Sequence, residues 1–382
     1  MSSFSRRVMN VEPSATVRIG DLAAELRSHG QEIVDLSQGD PDFDTPDHVR
    51  RAAREAIESG ETHYTPSAGI QPLREAIARK LESDNDLDAT PDSVTVTPGG
   101  KQALFETLSA LLGEGDEVVL LDPSWVSYEA IVNLCGGRLN RVPLDPDSGF
   151  RLDESVLTEA IGDQTKAILI NTPSNPTGAV LPRSDLMAIR DLCVDHDVWA
   201  VADEIYESIR YGVDHVSLGS LDGMRDRTVT VNGFSKSHAM TGWRLGYFHG
   251  PEPLVEQSRK VQSHTVTCAT SFAQHGAVAA LEGPQTPVDE MVGTFERRRD
   301  AAISTLSDAG LSVPTPDGAF YLFLPVTTDD DVGLCERLLE EDGLAVTPGS
   351  AFGMDGFVRV SYAAAVGDVE RGIETLAPHL AD

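Results

Sequence analysis

The feature that most limits the fold is a regular alternation between residues 94 and 248, where short apolar and β-branched runs are separated by stretches of helical periodicity. Seven runs read as strands: Val94–Thr97, Glu117–Leu121, Leu139–Pro143, Ala167–Asn171, Val198–Ala202, Thr228–Val231 and Arg244–Phe248. Helical patterns such as Gln102–Leu112 and Arg183–Asp195 lie between several of them. Strands that alternate with helices are joined by crossovers, so the pattern predicts an α/β fold with a large, open, mostly parallel sheet. After Gly283-Pro284 the pattern changes. A long polar helix containing Arg297-Arg298-Arg299 leads to a strand at Ala319–Leu324, a helix at Leu334–Glu341, a strand at Phe357–Ser361 and a last helix from Asp368, which reads as a smaller α+β unit. The chain's start, with a helix at Val17–His29 and a strand at Ile33–Ser37, is expected to pack on that unit rather than to extend the main sheet. The expected division is residues 1–44 with the small domain, 45–285 as the large domain and 286–382 as the small C-terminal domain.

Open α/β sheets bind ligands beyond the carboxyl ends of their strands, so the residues just past each run carry the functional reading. The first run is followed by Pro98-Gly99-Gly100-Lys101-Gln102 and a helix, which lets backbone amides face a phosphate. The same residues read equally as a Gly-Gly turn, and the spacing is not that of a nucleotide P-loop. The second run ends at Asp122-Pro123-Ser124-Trp125, where the indole could cover a planar ligand or simply pack in the core. The fourth leads into Asn171-Thr172-Pro173-Ser174-Asn175-Pro176-Thr177-Gly178, a proline-punctuated loop that fixes two amide side chains. Past the fifth, Asp203 in Asp203-Glu204-Ile205-Tyr206 follows an apolar run and should lie deep, where a carboxylate needs a cationic or proton-bearing partner. The sixth is followed by Ser235-Lys236, with Arg244 shortly after: an amine beside a hydroxyl and a guanidinium suits a Schiff base next to a bound phosphate. Pyridoxal 5′-phosphate requires an amine, a carboxylate for its ring nitrogen, donors to its ring hydroxyl, an aromatic cover and an anion site. Each has a candidate at one edge of the sheet.

Charge and composition remove other classes of function. Asp and Glu number 61 against 30 Lys and Arg, a net charge of −31, which would repel nucleic acid and anionic membranes. A hydrophobic fraction of 40% still favours a globular chain over a disordered one. Only 5 of the basic residues are lysines, and an acidic, lysine-poor surface is that of a salt-accumulating halophile. In such a chain a lysine inside a motif is informative. Cys135, Cys193, Cys268 and Cys335 are far apart and lack zinc-ligand spacing, so they read as reduced core thiols, and no metal site is expected. No signal-like N-terminus and no apolar run of membrane-spanning length is found, and the expected location is the cytoplasm.

At Asn175-Pro176-Thr177-Gly178, Asp203-Glu204-Ile205-Tyr206 and Ser235-Lys236 with Arg244, the sequence resembles the fold-type I pyridoxal-phosphate aminotransferases of class I/II. Gly39-Asp40-Pro41-Asp42-Phe43, Tyr64-Thr65-Pro66, Gly99-Gly100-Lys101-Gln102 and Phe357-Val358-Arg359-Val360-Ser361-Tyr362 resemble the bacterial and archaeal aspartate aminotransferases most, and the composition adds the expectation of a haloarchaeal source. The resemblance implies that Lys236 carries the cofactor and shuttles the substrate proton, that Asp203 pairs with the pyridinium, and that Tyr206 and Asn175 contact the ring hydroxyl. It implies that Trp125 stacks on the ring while Gly99, Gly100, the Lys101 backbone, Ser235 and Arg244 surround the phosphate. Tyr64 would reach the phosphate from a partner subunit, which requires a homodimer with shared active sites. Arg359 would clamp the substrate α-carboxylate, assisted by Asn175 and the Gly39 backbone, with Lys101 facing a distal carboxylate. His238, where the family more often has an aromatic residue, reads as a local substitution beside the phosphate. The implied reaction is amino transfer between an amino acid, aspartate or glutamate, and a 2-oxo acid. Aromatic, alanine, kynurenine and prephenate transamination and a carbon–sulfur β-lyase remain open, because they share the cofactor pocket. A pyridoxal-phosphate-sensing regulator is disfavoured, since no basic DNA-binding stretch precedes Gln31.

Overall fold

The computed structural model describes residues 4–11 and 15–381. After β1 (Val34–Asp35), seven strands form one sheet: β2 (Val94–Thr97), β3 (Glu117–Asp122), β4 (Arg138–Pro143), β5 (Thr165–Asn171), β6 (Trp199–Asp203), β7 (Thr228–Gly233) and β8 (Gly246–His249). Their order is β2-β8-β7-β6-β5-β3-β4. Strands β4, β3, β5, β6 and β7 pair in parallel, and β8 runs antiparallel between β7 and β2. The seven expected runs are all strands, with ends displaced by a residue or two.

The displacement matters at one place. Arg244, expected to open the last strand, lies outside β8, with a left-handed backbone at φ 52°. It ends a short 3₁₀ turn, Thr241–Trp243, and its Nη1 donates back to the Thr241 carbonyl at 2.8 Å. Because β8 is reversed, its beginning lies at the carboxyl edge of the parallel strands. That reversal brings Arg244 to the ends of β2 and β7.

The strands show unbroken apolar runs because both sheet faces are covered. On one face Val118, Leu120, Leu169, Val201 and Val231 pack with the helices Gly100–Leu111 and Ser127–Cys135. On the other, Val119, Ile168, Ala200 and Ala202 meet Leu186, Ile189 and Cys193 of the helix Arg183–Asp195. All four cysteines are unpaired. No described helix is long and apolar enough to cross a membrane.

Toward the C-terminus come β9 (Tyr321–Pro325), β10 (Leu344–Ala345), β11 (Thr347–Pro348) and β12 (Phe357–Ser361). β11, β12 and β9 form an antiparallel sheet, and β1 pairs in parallel with β10. The strand expected from Ala319 starts at Tyr321, because Ala319 has φ 53°, outside the extended range. The helices Ala15–Ser28, Thr286–Asp308, Asp331–Asp342 and Val366–Leu376 supply Ile19, Phe295, Leu338 and Ile373 to one core with Leu36 and Val360.

Candidate active site

A cavity of about 400 Å³ opens at the carboxyl edge of the large sheet. Of the residues selected from the sequence, Gly39, Gly100, Lys101, Trp125, Asn175, Asp203, Tyr206, Ser235, Lys236, Arg244 and Arg359 line it. Gly99 and Tyr64 do not. Gly99 is the neighbour of Gly100, which is in the lining, and Tyr64 is 88% exposed on the surface.

Lys236 follows β7, and its Nζ donates to the Gly39 carbonyl. The amine lies 5.8 Å from the centres of both the Tyr206 and Phe320 rings. Burial lowers its pKa to about 8, with Asp40 opposing and Arg359 adding to the shift. Near neutral pH an appreciable fraction is therefore a free amine, the nucleophilic form. A Cβ at Gly39 would stand 2.5 Å from the Tyr321 hydroxyl, so any side chain there would have to push that buried ring aside.

Asp203 ends β6, 5% exposed. It accepts the Tyr128 hydroxyl at 2.8 Å and the Ile205 N–H at 3.2 Å. Burial raises its pKa to about 6 despite the Tyr128 hydrogen bond. Tyr206 exchanges a hydrogen bond with Tyr321 at 2.8 Å, and Trp125 meets Tyr128 edge-on at 5.3 Å.

At the mouth, Gly99 has φ 86° and precedes a helix that no side chain caps, leaving its first N–H groups toward the cavity. A Cβ at Gly99 would come within 2.7 Å of Arg244 Nη2, so glycine is what allows the guanidinium to close on this turn. Lys101 places its ammonium 4.9 Å from the centre of the Trp125 ring. Partial burial, and then Arg244, depress its pKa. Across the cavity Arg359, 2% exposed, donates from Nη1 to Asn175 Oδ1 at 2.9 Å and from Nη2 to the Ser37 carbonyl at 2.5 Å. Its Nε has no partner, and its guanidinium lies over Tyr321 at 4.5 Å.

Sequence reading missed Tyr128, Tyr321 and Asp40, whose carboxylate accepts the Thr241 hydroxyl at 2.8 Å. It also misplaced His238, which is not beside the anion site. The imidazole bonds Ser237 Oγ at 2.8 Å and the Ala280 carbonyl at 3.2 Å, on the side away from the cavity, and burial lowers its pKa to about 4.

Among the described residues Asp203 has no hydrogen-bonded cation, and Arg359, Lys101 and Arg244 have no salt-bridged carboxylate. Asp203 and Arg359 are buried, where charges without counter-charges are costly, while Lys101 and Arg244 stand exposed at the mouth without a partner, so the cavity suits a ligand that carries the missing charges. Pyridoxal 5′-phosphate fits on this ground: a ring nitrogen proton for Asp203, a phosphate for the uncapped helix and Arg244, and an aldehyde for Lys236.

Comparison with known proteins agrees. A profile of the family described as aminotransferase class I and II matches residues 31–376. The aspartate/prephenate aminotransferase of Thermus thermophilus is 43% identical over 99% of this chain and 98% of its own. An aromatic-amino-acid aminotransferase of Thermococcus litoralis is 40% identical over 98% and 97%. The solved structure of the Thermus thermophilus aspartate aminotransferase with maleate superposes with a TM-score of 0.96, at 42% identity over 99% of this chain and 100% of the other. The edge of the sheet that gathers an amine, a carboxylate and an anion cradle is thus that of a pyridoxal-phosphate-dependent transaminase, and the chain belongs to the class I and II aminotransferases.

Proposed function

We propose that the chain transfers an amino group between aspartate or glutamate and a 2-oxo acid in two half-reactions of a ping-pong cycle. The observation that carries this reading is the pair of unbalanced cations on the cavity wall, Arg359 with its partnerless Nε and Lys101 over Trp125. Two separate cations suit a substrate with two carboxylates. The names of the relatives support it: one acts on aspartate and prephenate, and a solved one is bound to maleate, a dicarboxylate.

In this reading Lys236 holds the cofactor and, when released, moves the proton at the substrate α-carbon. Asp203 holds the proton on the ring nitrogen. Bound pyridoxal phosphate supplies an electron sink for the charge left when that α-proton departs. Tyr206 and Asn175 hold the ring hydroxyl, and Trp125 covers one face and excludes water. Gly99, Gly100, the Lys101 backbone, Ser235 and Arg244 bind the phosphate. Arg359, steadied by Asn175 and the Ser37 carbonyl, orients the α-carboxylate with the Gly39 backbone, and Lys101 binds the distal one.

A donor panel tests the substrate. Aspartate and glutamate should exceed alanine and phenylalanine by about 10-fold or more in kcat/KM, the worth of one charge-assisted contact. Preference for a neutral donor would overturn the dicarboxylate reading. Prephenate as acceptor is the second reading, favoured by the relative named for it. Release of pyruvate and ammonia from cystathionine without an oxo acid would reveal a β-lyase instead.

The same reading includes a cytoplasmic homodimer in which Tyr64, exposed in one protomer, completes its partner's phosphate site. Residues 1–44 would pack with the small domain, 286–382, beside the large cofactor-binding domain, 45–285. The net charge of −31 supports a halophilic source, because so many carboxylates repel one another unless screened. Melting temperature should then rise steeply with molar KCl; a salt-insensitive melt would discard that part.

A further inference from the structure

Behind the cavity, the turn after β6 carries charged groups that none of these roles uses. Consecutive residues of an extended chain point to opposite sides. Asp203 lines the cavity, whereas its neighbour Glu204, fully buried, does not. Glu204 accepts hydrogen bonds from Ser217 Oγ at 2.6 Å, His215 Nε2 at 3.1 Å and the Leu218 N–H at 3.3 Å. One turn on, Glu207 accepts Asn85 Nδ2 at 2.6 Å and pairs with the Lys80 ammonium. The spacing of Glu204, Glu207 and His215, with ligand atoms within 4.8 Å of one another, suits a cation, and the ammonium of Lys80 meets it.

Two carboxylates thus face one ammonium and one imidazole. Burial alone would lower the pKa of His215, but Glu204 and then Glu207 outweigh it and raise the value. Burial would raise Glu207, and Lys80 and then His215 hold it below the usual range. With His215 protonated the cluster is neutral, and the Nδ1 proton it then carries is buried without an acceptor, a cost that the Glu204 charge has to offset. Its backbone is tied as well: the Glu204 N–H donates to Val231 in β7 and the Glu207 N–H to Glu204, both at 2.9 Å. Asp203 is faced by Tyr128 from the helix Ser127–Cys135, by Lys236 after β7 and by Glu204 itself, whose charge favours the protonated carboxyl.

We propose that Glu204 and His215 are a positioning pair for Asp203: the imidazolium cancels the Glu204 charge, so that Asp203 meets the cofactor's ring nitrogen as an anion held in a fixed orientation. The inference rests on the reading of Asp203 given above, and neither member of the pair touches the cofactor.

The test follows the visible absorbance of the pyridoxal-phosphate-loaded enzyme against pH, without substrate. Glu204→Gln removes an anion and should lower the midpoint by about one pH unit, whereas His215→Gln removes a cation and should raise it by about as much. The double variant should return near the wild-type midpoint. General damage to the fold does not produce shifts of opposite sign that cancel. Single variants that leave the midpoint unmoved, or move it in the same direction, would overturn the proposal. Ser217→Ala removes one hydrogen bond from Glu204 and no charge, and it serves where a charge variant fails to fold. A smaller upward shift is expected there, and none would also overturn the proposal. Asp203→Asn separates the two failures. If it alone moves the midpoint, the pair has no role; if it does not move the midpoint either, the reading of Asp203 itself falls.

Discussion

On the cavity side of the turn after β6, Asp203 is buried against a phenol and a backbone N–H, and Arg359 across from it has a nitrogen with no partner. On the other side, Glu204 and Glu207 are buried to a similar depth with Lys80, His215, Ser217 and Asn85 bound to them. The first region leaves charges uncompensated, and the second balances them within the protein. The difference separates a site whose charges wait for a ligand from one whose charges are paired within the protein, with only His215 Nδ1 left without a partner there among the described residues, although both hold buried carboxylates and half-buried lysines.

The largest effect should come from removing the cavity's amine. Lys236→Ala should reduce transamination to background and abolish the substrate-responsive visible band; normal turnover would mean that another amine carries the cofactor. Next is Asp203→Asn, expected to lower kcat by about 10²–10³-fold. The same change should stabilise the cofactor-free protein. Folding raises the Asp203 pKa from 3.8 to about 6, so its ionisation opposes folding, with no penalty below about pH 4 and the full penalty above pH 6. At pH 7.5 the cofactor-free variant should gain about 3 kcal/mol, a gain that vanishes toward pH 4. An unchanged denaturant midpoint at both pH values would contradict an uncompensated charge.

Behind the turn the sign should reverse. Glu207→Gln strands the Lys80 ammonium and should cost about 3 kcal/mol of stability. A neutral or stabilising result in urea unfolding would place the two regions in one class. The smallest effect concerns the cavity mouth: Lys101→Ala should raise the KM for aspartate about 10-fold while a neutral aromatic donor is barely affected. Equal losses for both donors at saturating cofactor would remove Lys101 from substrate binding.

The strand ends were legible because a parallel sheet places its chemistry there, and short motifs after β2, β5, β6 and β7 carry residue types that a plain turn does not need. Tyr128 was not, because in sequence it belongs to the apolar stripe of a helix, and only the fold aims its hydroxyl at Asp203. Tyr321 sits in an apolar strand and is hidden in the same way. Glu204 was visible beside Asp203, but its meaning depends on His215 and Ser217 in a later loop, and Glu207 meets Lys80 across 127 residues. His238 shows the opposite error: adjacency to Lys236 suggested a place beside the phosphate, while the chain turns its ring toward the helix Ser271–Glu282.

The bond from Arg359 to the Ser37 carbonyl spans 322 residues, and β1 finds its partner only in β10. In a chain made from its amino end, Lys236, Asp203 and Arg244 have all left the ribosome while β12 has still to be synthesised. In the reading proposed above, the lysine that holds the cofactor thus exists before any grip on an amino acid does, and the first strand made is among the last to be paired. A product that stopped short of β12 would contain every residue assigned here to the cofactor and lack Arg359, the one assigned to the α-carboxylate.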